Sequence, residues 1–75
     1  MVATAPSKPL MVFWSARKGA RTQQCVFAKV TEGFVLNVLE DDTVIREDVA
    51  RTISEVHEMH SAWREQWAAE GWTVI

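Results

Sequence analysis

Residues 10–40, LMVFWSARKGARTQQCVFAKVTEGFVLNVLE, are three runs of β-forming residues separated by two joints that each hold a glycine. Branched and aromatic side chains suit a pleated, half-buried surface, and glycine supplies the positive φ that tight hairpin connections require. The first run, residues 10–17, alternates Leu10, Val12, Trp14 and Ala16 against Met11, Phe13 and Ser15. Arg17-Lys18-Gly19-Ala20-Arg21 then turns the chain into a second strand over residues 22–31. Its faces are Gln24, Val26, Ala28 and Val30 against Gln23, Cys25, Phe27 and Lys29. Glu32-Gly33 forms the next connection, and residues 34–40 make a third strand in which Phe34, Leu36 and Val38 oppose Val35, Asn37 and Leu39.

Downstream, Asp41-Asp42 has the side chains that accept unusual φ in a turn, so residues 43–49 are expected to return as a fourth strand. The competing reading starts the helix near Asp48. Thr52-Ile53-Ser54-Glu55 favours the later start, because it has the form of a capping box: the Thr52 hydroxyl accepts from the Glu55 amide, and the Glu55 carboxylate reaches back to the Thr52 amide. From there Ile53, Val56, His60, Trp63 and Trp67 recur at helical spacing as one stripe, and Gly71 marks the stop. Trp72 falls where a Schellman ending packs back toward Trp67. Thr73-Val74-Ile75 is apolar enough to dock or to add a short strand, but is not assigned to one. Upstream, residues 1–9 contain two prolines and no periodicity, and read as a tail. The expectation is a tail followed by one α+β two-layer domain over residues 10–75: an antiparallel meander of three to four strands, then one amphipathic helix.

Bulk properties narrow the class further. Seventy-five residues, 48% apolar and 24% charged, describe a folded domain with a marginal core rather than a disordered chain. Its single cysteine, Cys25, excludes an intramolecular disulfide, and no apolar run approaches the roughly 20 residues that cross a bilayer. A soluble, cytoplasmic protein is expected, with no cofactor and no membrane partner. Net charge is −2, but unevenly spread: residues 1–31 carry five cations and no acid, and residues 32–75 carry all ten acids against three arginines. Pairing of a basic hairpin with acidic elements explains this without a further partner.

One helix covers one sheet face. If it packs on Val12, Trp14, Val26, Val30, Leu36 and Val38, the other face presents Met11, Phe13, Cys25, Phe27, Val35 and Leu39, although the two faces are nearly equally apolar. An exposed apolar sheet face marks an interface, and the commonest partner for such a domain is its own copy. A non-catalytic interaction or regulatory module, self-associating as a dimer through Met11, Phe13, Phe27, Val35 and Leu39, is therefore the expected function; another protein partner is the variant of that reading. The alternative is nucleic-acid binding by Arg17, Lys18, Arg21 and Lys29 on the first hairpin. His57 and His60, three apart on a helix, are a weak candidate metal pair that lacks a third ligand. Trp63 and Trp67 fit the core. Cys25 with either histidine lacks the orienting third group of a nucleophilic site, and no catalytic residue is assigned.

Overall fold

The structure, a computed structural model, describes residues 11–75. The expected tail, residues 1–9, lies outside the described residues, as does Leu10. Four long strands come first: β1 (Met11–Lys18), β2 (Arg21–Val30), β3 (Gly33–Glu40) and β4 (Thr43–Ala50). Helix α1 (Ile53–Ala69) and a two-residue strand β5 (Thr73–Val74) follow. All pairings are antiparallel, in the order β4-β3-β2-β1-β5, so the first four strands form a meander and the last joins its β1 edge. The fold is α+β, as expected. Residues 43–49 belong to a strand, and the helix begins after Thr52.

Each turn follows from its residues. Lys18 pairs with Arg21 across a turn in which Gly19 has φ +61. Asp41 and Asp42 both adopt positive φ, 53 and 65, a conformation that short Asp side chains tolerate and two-residue hairpins demand. Gly33, at φ +146, has a second constraint: a Cβ there would overlap the Ala50 carbonyl oxygen. No larger residue fits.

The helix starts on the expected cap, with one change. Thr52 Oγ1 accepts from the Glu55 amide at 3.2 Å, but the Glu55 carboxylate accepts from the Arg51 amide at 2.8 Å rather than from Thr52. The box closes one residue further out. At the other end the Trp72 amide donates to the Trp67 carbonyl and the Gly71 amide to the Ala68 carbonyl, each at 3.1 Å, with Gly71 at φ +97. These are the two bonds of a Schellman motif. They turn the chain back along β1, where the Ile75 amide donates to the Ser15 carbonyl at 2.8 Å and completes the fifth strand.

Which face the helix covers is decided by register. Cys25 pairs with Val38 and Phe27 with Leu36, so odd-numbered residues of β2 share a face with even-numbered residues of β3. A bulge at Phe13 changes the parity of β1 between Val12 and Trp14. The core under α1 accordingly contains Trp14, Ala16, Cys25, Phe27, Leu36, Val38 and Ala50, closed by Val56, Trp63, Trp67 and Trp72. Neither face expected from alternation along single strands survives intact. Val12, Val26 and Val30 lie opposite the helix, and Phe27 and Cys25 lie beneath it. Ile53, expected on the buried stripe, is the first helical residue and stays 47% exposed.

Gly33→Ala tests the close approach to Ala50. It should cost about 2 kcal/mol or more in chemical denaturation, beyond the usual penalty of a strained φ alone. Gly19→Ala, where a Cβ meets nothing within 4 Å, should cost less.

Candidate functional site

Three surfaces carry the residues singled out in the sequence. The first is the sheet face opposite α1. Pairing puts Val12, Val26, Asn37 and Glu47 in one row across it, with Ala28, Val35 and Val49 in the next. Val30 and Leu39 lie further along the same face. No described element packs over it. Its margins are exposed, Val12 at 46%, Val30 at 39% and Val49 at 61%, whereas Val26, Ala28, Val35 and Asn37 at its centre are buried. Among the described residues neither polar atom of the Asn37 side chain has a hydrogen-bond partner.

Of the expected interface residues, Val35 and Leu39 belong to this face and the others do not. Phe27 is under the helix. Phe13, thrown to the helix side by the bulge, stacks on Phe27 with ring centroids 4.8 Å apart and on His60 at 3.9 Å. Met11 pairs with Phe27 and is 53% exposed on that same side. The five residues are split between two faces because a pair register with an odd sum, and a one-residue bulge, each exchange the faces of a strand. Val12, Val30 and Val49 were missed; their alternation was legible, but not which strand parity joined which.

The second surface is the tip of the first hairpin. Arg21 holds Glu40 through Nε to Oε2 at 2.9 Å and Nη2 to Oε1 at 2.6 Å, and Gln23 Nε2 adds a third bond at 2.7 Å. Hydrogen bonds from Arg21 and then Gln23, with the Arg21 charge, hold the Glu40 carboxyl down at about 2. Lys18 Nζ donates to the Glu70 carbonyl at 2.9 Å, a cation on the negative end of the helix dipole. Both cations also lie over the Trp72 ring, Arg21 at 5.2 Å and Lys18 at 5.9 Å. Their charge is therefore engaged within the domain. Arg17 alternates onto the opposite face, and Lys29 is eight residues from Arg21 along β2, about 26 Å at strand rise. The four cations do not form one footprint for a phosphate backbone.

The third is the helix pair. His57 Nδ1 and His60 Nε2 face each other at 3.4 Å. His60 Nδ1 is buried with no partner, and this bears on metal binding. An ion on His60 Nε2 would force the ring proton onto Nδ1, where no acceptor waits, whereas a ligating imidazole ordinarily donates that proton to an outer acceptor. Among the described residues no group of three or more His, Cys, Asp or Glu is placed to share an ion. Cys25 is fully buried, and burial pushes its thiol up to about 12, the reverse of what a nucleophile needs. Trp72, whose place the sequence left open, is buried at the helix end. Among the described residues no helix is long and apolar enough to cross a membrane. No protein-family model matches this chain, and searches of curated proteins and of solved structures return no match.

Two outcomes follow from this geometry. Phe27→Glu should abolish the cooperative near-UV circular dichroism melt, since it places a carboxylate in the core; a folded variant of altered oligomeric state would contradict that placement. Glu40 contributes stability that is complete above its ordinary value of 4.5 and lost as pH falls from there toward about 2. Glu40→Gln should therefore flatten the acid-unfolding curve across that interval, as read by tryptophan fluorescence.

Proposed function

We propose that this domain is a non-catalytic interaction module that associates with a second copy of itself across the sheet face opposite α1. The observation that carries the reading is the set of exposed valines, Val12, Val30 and Val49, around the margin of a face that no described element covers. A sheet with both faces apolar is stabilised by contact on each side, and among the described residues one helix covers one of them. A two-fold copy meets this exposed margin with the same residues on both sides. Contact through the margin needs no opening of the buried centre. The buried, poorly ionised Cys25 is unsuited to act as a nucleophile, which favours binding over thiol catalysis.

Light scattering after size exclusion tests the association directly. The expected mass is that of two protomers, held at low and moderate salt because the contact is apolar. Val49→Glu should halve it while leaving the circular dichroism spectrum unchanged, since Val49 is exposed in the single chain. A monomer at every concentration, or a dimer indifferent to Val49→Glu and Val12→Glu together, would overturn the proposal.

A further inference from the structure

One contact between β1 and the middle of the helix is made by an imidazole. His60 stacks on Phe13 at 3.9 Å with the rings 9° from parallel, and its backbone carbonyl accepts from Trp14 Nε1 at 3.1 Å. Phe13 in turn stacks on Phe27. The ring therefore joins helix, β1 and β2 in one pile.

The nitrogens around this pile leave no place for an added proton. His60 Nδ1 is buried without a partner, so the neutral ring keeps its proton on Nε2 and donates it to His57 Nδ1 across 3.4 Å. The reverse arrangement would bury an N–H at Nδ1 with no acceptor, the costlier orphan. In the favoured arrangement His57 carries its own proton on Nε2, and its one free lone pair is the one that accepts from His60. Protonating His60 adds an N–H at the buried Nδ1, a charged donor that finds no acceptor among the described residues.

On the helix Arg64, like His57, disfavours a charged His60, and Glu58, which lies between the two histidines in sequence, hydrogen-bonds neither ring. The residues that face the ring from β1 are Phe13 and Trp14, both uncharged, and Phe27 comes next on β2, with Lys29, another cation, two residues further along the same face. Among the described residues no carboxylate hydrogen-bonds either ring. The Phe13 face is a weaker partner for a cation than an indole would be.

We propose that His57 and His60 form a proton-sensitive latch that holds the first half of β1 to the helix at neutral pH and releases it on acidification. Release separates His60 from Phe13 and bares the Phe13–Phe27 stack, a pair of aromatic side chains that the neutral form keeps covered. Burial, with His57 and Arg64, lowers the His60 value below its ordinary 6.5, which agrees in sign: the unfolded or opened chain binds the proton more readily, so stability is complete above that value and is lost as pH falls through it. This loss begins near 6.5, above the 4.5 at which that of Glu40 begins.

The test is a thermal melt of the full chain at pH 7.5 and 5.5, with nitrogen chemical shifts of the two rings recorded by NMR. The wild-type Tm should fall by about 5 °C between these pH values, and the contact between the Phe13 and His60 rings should weaken in step. His60→Phe, which keeps a flat ring on Phe13 but cannot take a proton, should hold its Tm across the interval. His57→Ala, a change at an exposed position, should shrink the fall. At pH 7.5 the shifts should show His60 protonated at Nε2. A wild-type Tm that is flat over the interval, an equal fall in the His57→Ala chain, or a His60 ring protonated at Nδ1 at neutral pH would each overturn the latch.

Discussion

Two indoles placed between sheet and helix carry the architecture. Trp14 from β1 and Trp67 from α1 meet in the core with ring centroids 5.7 Å apart, and each has an N–H that burial would make expensive if left unpaired. Both are satisfied across the layer boundary: Trp14 Nε1 by the His60 carbonyl at 3.1 Å, Trp67 Nε1 by Gln23 Oε1 at 2.6 Å. Large side chains with one directional bond each do two things at once. They fill the space between layers, and they fix where along the sheet the helix lies, because an indole moved by one strand loses its acceptor.

The bond to Gln23 continues outward. Gln23, itself buried, passes from Trp67 to Glu40, and Glu40 to Arg21, so a polar chain runs from the core to the hairpin tip with each group paired. Beside it the Schellman ending brings Trp72 under Arg21 and Lys18, and Arg46 lies over Trp63 at 4.5 Å while bonding Gln66. Cations thus close the rim of the indole core on two sides. The uneven charge along the chain has part of its explanation here, in a cation of the first half and an acid of the second that meet as a surface ion pair. Two cations of the basic segment, Lys18 and Arg21, lie at the edge of the indole core in the structure.

A core of this kind serves one face of the sheet. The opposite face has its own apolar rows, separate from the residues under the helix, and its exposed margin is the feature on which self-association is proposed. The two faces differ in character: the aromatic side chains lie beneath the helix, and the face away from it is mostly valine, with Ala28, Leu39, Asn37 and Glu47. Such a face suits packing against another flat sheet, where short branched side chains interdigitate at about 10 Å separation.

Local chemistry made much of this legible without coordinates. The glycines and paired aspartates set the turns, Thr52 and Glu55 set the helix start, and Gly71 with Trp72 set its end, because each acts through atoms within a few residues of itself. The stripe of Val56, Trp63 and Trp67 was equally visible, being a matter of helical period. What only the tertiary structure decided was which strand face joined which. Alternation reports two faces per strand but says nothing of how they match between strands; that depends on the pair register at each hairpin and on one extra residue at Phe13, and a shift of one exchanges buried for exposed. Phe27 went to the core and Val12, Val30 and Val49 to the surface for that reason alone. The spacing of the histidine pair was visible, but not that His60 Nδ1 is buried without a partner among the described residues, which no spacing in a sequence records.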